Sequence, residues 1–254
     1  MKKIIAIIQA RLDSTRLPRK ALINILGKPL IIHLLERVKE SKKIDDIIAA
    51  TTDRKVDDEL VKVLKNQGVK VFRGSNKDVL DRYYQAATKY CADVIVRVTG
   101  DCPLIDPNII DLIIQHYLDN DFDYVTNIIV PTYPDGLDVE IFSYETLKKT
   151  WEESKLLSER EHVTPYIKKH PEIFRLNNFK NSVDWSHLRW TVDQKEDLKF
   201  VIEIYKRLYN KKPLFLMKDI LQILDEEPEL KEINSRIQRD EGYLKSLKED
   251  DNVV

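Results

Sequence analysis

Four cations and two hydroxyls crowd the stretch Gln9-Ala10-Arg11-Leu12-Asp13-Ser14-Thr15-Arg16-Leu17-Pro18-Arg19-Lys20, directly after the apolar run Ile4-Ile5-Ala6-Ile7-Ile8. Lysine offers a phosphate group a point charge and arginine offers forked donors, with hydroxyls filling the gaps between them. The glycine-based phosphate fingerprints are missing. The chain has only 6 Gly and no G-x-G-x-x-G, and Gly27-Lys28 lacks the upstream glycine of a P-loop. A solvated basic loop is the plain alternative. So many cations after a buried strand favour an anion site.

Three further motifs could complete such a site. In Thr99-Gly100-Asp101-Cys102-Pro103-Leu104, Asp101 stands where a strand would end, and a carboxylate there suits Mg²⁺, which takes one or two carboxylates plus substrate phosphates. The same Asp could equally be a turn residue. In Asp135-Gly136-Leu137-Asp138-Val139-Glu140, Asp138 and Glu140 alternate onto one strand face, as either a hairpin edge or acceptor recognition. In Arg189-Trp190-Thr191-Val192-Asp193, with Glu196-Asp197 opening a helix, Asp193 reads either as an N-cap or as a second carboxylate beside Asp101. His162 and His187 lack any metal-ligand spacing, and Cys102 has no visible activating partner, so a histidine metal site and a cysteine nucleophile are both set aside.

These residues need a scaffold that gathers strand ends, and the pattern supplies one. Apolar runs at residues 3–8, 44–51, 69–72, 93–98 and 123–127 alternate with helical spacing at 29–40, 56–66, 78–90 and 107–119. This is the signature of βαβ units and a mostly parallel α/β sheet flanked by helices, of Rossmann-like type. The rhythm changes over residues 128–188. A Pro/Gly turn, an alternating stretch at 136–142 and helical segments at 144–154 and 158–169 read as an inserted acceptor or dimerisation segment. A strand is expected at 189–192 and a helix at 196–209, and residues 218–254 read as a helical, charged extension thinning into a solvated tail. The whole chain of 254 residues is expected to form one domain.

Composition narrows the partners. Lys+Arg 42 against Asp+Glu 43 leaves a net charge of −1, which argues against nucleic-acid binding through bulk charge. Two cysteines make no disulfide framework, and no apolar run approaches the length that spans a bilayer. The expectation is a cytoplasmic protein with small-molecule partners and no membrane association.

The motifs together resemble those of the CTP-dependent cytidylyltransferases that activate acidic sugars, the 3-deoxy-manno-octulosonate and acylneuraminate enzymes. The likeness is carried by Ile8-Gln9-Ala10-Arg11, Ser14-Thr15-Arg16-Leu17-Pro18 and Lys20. The spore-coat polysaccharide branch is nearest, through Arg73-Gly74-Ser75, Asp78-Val79-Leu80-Asp81-Arg82, Asp135 to Glu140, and Glu161-His162-Val163-Thr164. The resemblance implies a nucleotide-diphospho-sugar transferase fold. It implies that Arg11 and Lys20 grip the triphosphate of CTP with Ser14 and Arg16 beside them. Ala10 and Arg11 would meet cytosine, with Arg73, Ser75 and Arg82 nearby. Asp101 and Asp193 would hold Mg²⁺, and Asp135, Asp138, Glu140, Glu161 and His162 would face the acceptor. Relatives dimerise through the inserted segment, so a homodimer is expected. Gln9 replaces a frequent proline and Cys102 an acidic residue common in the octulosonate enzymes, departures that bear on the acceptor more than on the reaction.

The expected reaction is attack of an acceptor oxygen on the α-phosphorus of CTP, with Arg11, Lys20, Asp101 and Asp193 as the working residues. The acceptor would be an acidic sugar or a relative of one. The alternatives are a nucleotidyltransferase using a phosphorylated or non-sugar acceptor, or a catalytically silent nucleotide-binding protein.

Overall fold

A seven-stranded sheet runs through the molecule in the computed structural model, which describes residues 2–250. In chain order its first strand is β1 (Ile4–Gln9). A small ribbon, β2 (Asn24–Ile25) and β3 (Lys28–Pro29), leads into α1 (Leu30–Lys39). Then follow β4 (Asp46–Thr52), α2 (Asp58–Asn66), β5 (Lys70–Gly74), α3 (Val79–Tyr90), β6 (Val94–Thr99), α4 (Pro107–Asp119) and β7 (Tyr124–Thr126). The strands β5, β4, β1 and β6 lie side by side and parallel. The runs at 3–8, 44–51, 69–72, 93–98 and 123–127 thus become strands as their composition demands.

β1 is apolar on both faces because helices cover both. Ile4, Ala6 and Ile8 pack toward Leu34 of α1, Ile110 of α4 and the C-terminal helices, while Ile5 and Ile7 pack toward Leu80 and Tyr83 of α3. Since β1 sits between β4 and β6, the connections diverge there, and the crevice beyond Gln9 and Thr99 is where open sheets of this kind bind ligands.

The segment 128–188 is stitched into the same sheet. β8 (Glu140–Ser143) inserts between β6 and β7 and runs antiparallel to both, and α5 (Tyr144–Glu153) follows it. The helix expected over 158–169 is two, α6 (Leu157–His162) and α7 (Pro165–Lys169), divided where Val163 takes φ 72. β9 (Leu176–Asn178) pairs parallel with β7 at the sheet edge. The stretch 136–142 becomes a strand only from Glu140.

Residues 189–192 are not the expected strand. They are buried, but a single bridge joins Arg189 to Asp135, and the backbone donors of Trp190, Thr191 and Val192 go to the carbonyls of Asp135 and Asp101. Apolar burial without strand neighbours gave the same sequence pattern. α8 (Lys195–Leu208), α9 (Met217–Glu226) and α10 (Glu241–Asp250) finish the described chain. α10 is no solvated tail. It lies on α6, with Asp250 accepting from the Ser158 amide and Ser246 hydrogen-bonded to Glu161 and His162. Residues 251–254 of the expected extension lie outside the described residues. No described helix is long and apolar enough to cross a membrane.

One glycine fixes the sheet at the crevice. The Gly100 amide donates to the Gln9 carbonyl at 3.0 Å, and a Cβ on Gly100 would lie 2.4 Å from that same oxygen. Gly100→Ala should therefore push the ends of β1 and β6 apart and cost about 1–3 kcal/mol of unfolding free energy, as overpacking does. Urea denaturation checks this, and an unchanged midpoint would refute it.

Candidate active site

The basic loop after β1 is held by its own apolar and acidic residues. Leu12 and Leu17 are buried, and Asp57 accepts from the Leu12 amide at 2.7 Å while also bonding the Thr52 hydroxyl. The Arg19 amide donates back to the Leu12 carbonyl at 3.0 Å, with Arg19 at φ 58. The loop is thereby folded on itself, and Arg11, Ser14, Arg16 and Lys20 line a cavity of about 950 Å³ over the ends of β1 and β6. Arg19 points away to Glu59.

Across the cavity stand Asp101 and Asp193. The Lys20 ammonium donates to Asp101 Oδ2 at 3.0 Å and to Asp193 Oδ1 at 2.8 Å. Arg16 reaches Asp193 Oδ2 at 3.0 Å. Asp193 is not a helix cap. Asp197 fills that role, accepting from the amides of Asp193 and Gln194 at 3.0 Å each, so the Asp193 carboxylate is left for the cavity. Gly136, at φ +106, lets this run approach. A Cβ there would sit 2.5 Å from the Thr191 nitrogen.

Electrostatics follow from this packing. Burial opposes ionisation of Asp101, but the Lys20 charge and the Thr99 hydroxyl hold its carboxyl down at about 2. Burial likewise opposes the charge on Lys20, yet Asp101 and Asp193 raise it above its ordinary value. The Cys102 thiol is pushed well up by burial and by Asp101, which removes it as a nucleophile. His162 is lowered by burial to about 4 and is a neutral ring beside Ser246.

The other sequence candidates divide. Arg82 lines the cavity, is only 2% exposed and has no partner for its Nε, so it is a buried donor facing the crevice. Ala10 is on the wall as well. Arg73 and Ser75 are not. The Arg73 guanidinium is tied to the carbonyls of Thr52 and Arg54 and to Asp58, and Ser75 Oγ accepts from the Asp78 amide. Arg73 thereby braces β5 against the end of β4, and Ser75 braces the turn from β5 into α3.

Asp135, Asp138, Glu140, Glu161 and His162 all line the cavity's second half. Three of the acids are spent internally. Asp135 pairs with Arg189 at 2.6 Å and Asp138 with Arg239 at 2.7 Å, and Glu140 pairs with Arg97 while accepting from Tyr124 and Thr164. The Glu140 carboxylate therefore positions Arg97, which corrects its expected role as an acceptor contact. Burial pushes the Asp138 carboxyl up to about 6 even beside Arg239.

Sequence reading missed Arg97, Arg239 and the α10 residues Glu241 and Tyr243. Only Arg97 had a signal, a charge inside the apolar strand Val94–Thr99. The hub role of Arg189, which also reaches Asp197 at 2.9 Å, was hidden by the 54 residues separating it from Asp135.

Residues 5–237 match the family model described as cytidylyltransferase. The chain belongs to the cytidylyltransferase family. This cytidylyltransferase is 33% identical to the spore coat polysaccharide biosynthesis protein SpsF of Bacillus subtilis, over 90% of this chain and 97% of that one. A solved cytidylyltransferase from Leptospira borgpetersenii superposes with TM-score 0.88 at 35% identity, covering 94% of this chain and all of that one. The structure of CMP:2-keto-3-deoxy-manno-octonic acid synthetase complexed with CTP shares the fold, with TM-score 0.64 at 20% identity over 81% of this chain and 99% of that one. The cytidylyltransferase is a CTP-dependent nucleotidyltransferase.

The Lys20 bridge carries a pH signature. Asp101 is depressed, so its contribution is complete above its ordinary value of 3.8 and is lost as pH falls toward 2. Lys20 is raised, so its contribution is complete below 10.5 and is lost above that. The unfolding free-energy difference between wild type and Asp101→Asn should stay level from about pH 5 to 9 and shrink in acid. A difference that persists unchanged to pH 2.5 would sink the assignment.

Proposed function

We propose that the protein transfers CMP from CTP to an acidic sugar or related acceptor in surface polysaccharide or glycoconjugate biosynthesis. The observation that carries this is the convergence of Arg11, Arg16, Lys20 and Arg82 with Asp101 and Asp193 at the strand ends. An acceptor oxygen attacks the α-phosphorus, the bond to the β-phosphate oxygen breaks, and pyrophosphate leaves. Arg11, Arg16 and Lys20 neutralise the charge that develops on it, while the rigid strand ends hold the reacting groups in line.

The donor set suits Mg²⁺. Two carboxylates converge within 3.0 Å of one nitrogen. Among the described residues no cluster of three ligating side chains could hold a metal alone, so the shell would be completed by the nucleotide's phosphates. Asp101 and Asp193 would hold the ion, which when bound neutralises triphosphate charge and polarises the α-phosphate.

Residues 128–188 expose Ile129, Val130 and Val183, and this supports the reading of a homodimer joined through that segment. The cytoplasm, where CTP is made, is the place we assign to it.

Asp101→Asn and Asp193→Asn should each lower kcat on the order of 10²-fold or more at saturating Mg²⁺. Both variants should still fold, since Asp193 caps no helix, and should lose only the stability that each carboxylate draws from Lys20. Pyrophosphate release with a turned-over sugar acid is the readout, and activity within a few-fold of wild type would reject the role. CTP in hundred-fold excess over its Kd should stabilise the protein by about 2.7 kcal/mol, and ATP or GTP by less. Equal thermal shifts for all nucleotides would reject the base preference. Sedimentation should show a dimer at micromolar concentration, and monomer alone would remove that reading.

A further inference from the structure

The acceptor half of the cavity is rich in acids, but three of them are neutralised within its wall. Asp135, Asp138 and Glu140 are each matched by an arginine, as described above. One cation there makes no direct ion pair, although it stands close enough to Glu140 to help hold that carboxylate ionised. Lys168 of α7 is half-buried on the cavity wall and makes no ion pair among the described residues. Its ammonium stands 5.9 Å from the centre of the Tyr243 ring of α10, and that ring meets His162 edge-on at 5.2 Å. Deeper in the same wall, Arg97 is 8% exposed, and its Nε has no hydrogen-bond partner although Glu140 occupies one end of the guanidinium.

We propose that Lys168 reads an anionic group on the acceptor, with the unpaired Nε of Arg97 behind it and the Tyr243 ring as the wall against which the sugar lies. The proposal rests on the acceptor side of the reading above and adds the residues that would select it. A half-buried ammonium gains from a carboxylate what it cannot regain from water, and the face of a tyrosine ring favours both the cation and the C–H surface of a sugar. Glu161 and Asp240, which also line this half without ion pairs, suit the hydroxyls of the same molecule. An acidic sugar presents both kinds of group. Tyr243 lies beyond residues 5–237, so this wall is added by a helix outside the matched family region.

The test uses the full chain, with and without saturating CTP and Mg²⁺. Binding of 3-deoxy-manno-octulosonate and N-acetylneuraminate is compared with that of their methyl esters, which lack the charge and keep the ring. At least one acid should bind about ten-fold or more tightly than its ester, the range expected of a hydrogen bond to a charged group. Lys168→Met should bring that ratio close to one while the affinity for CTP stays at the wild-type value. Lys168→Arg should keep most of the preference, and Tyr243→Ala should weaken acid and ester alike. No preference for either acid in the wild type, or a preference that survives in Lys168→Met, overturns the proposal. A charge preference that depends on Lys168 in a protein unable to bind CTP would refute the nucleotide reading and leave this one standing.

Discussion

One ammonium group holds the crevice in shape. Lys20 joins two carboxylates that lie 81 and 173 residues away along the chain, and its own side chain retains only 14% exposure. Three half-desolvated charges at this spacing are costly apart and stable together, because removing any one leaves the others without compensation. The neighbouring parts are arranged to serve that cluster. Asp57 and the buried Leu12 and Leu17 fix the loop that ends at Lys20. Gly100 fixes the strand end before Asp101, and Gly136 with Asp197 fixes the run that carries Asp193.

A second tier of charge pairing surrounds the first. Arg189 contacts Asp135, Asp193 and Asp197, so it links the acceptor wall to the carboxylate that faces Lys20. Asn234 joins in, donating to the Arg189 carbonyl and to Asp197. Networks of this kind are satisfied only in one arrangement of their backbones, which makes the wall rigid where positioning matters. By contrast Arg16 is shared between Asp193 and Glu241 at the start of α10, with 38% of its side chain exposed. It is the adaptable member of the set.

What could be read from the chain alone depended on how far apart the cooperating residues lie. The loop from Ala10 to Lys20 was legible because its cations are contiguous and follow an apolar strand. Asp101 was legible because a glycine and a strand end mark it. Arg239 was not, since nothing near residue 239 announces that Asp138 is 101 positions upstream and 2.7 Å away. The run 189–192 misled because burial makes a sequence apolar whether its backbone pairs with a strand or with loop carbonyls. Arg73 misled in the opposite sense, a cation beside the right motif whose donors are consumed by the turn after β4. Glu140 looked like a ligand contact because alternation shows which face a residue occupies and not which partner waits there.

The reversed direction of β8 has a consequence for how such a protein can change. A parallel strand brings its trailing loop to the crevice, whereas β8, antiparallel to β6 with Glu140 opposite Arg97, brings the loop that precedes it. Chemistry on the CTP side thus hangs from the ends of β1 and β6, and the wall at residues 128–139 hangs from the start of a different strand. The two share no loop and are joined through Arg189 and through the amides of Trp190 and Thr191, which donate to the Asp135 carbonyl. Insertions or replacements ahead of Asp135 leave the register of the central strands untouched, so this wall can vary while the strand ends stay fixed.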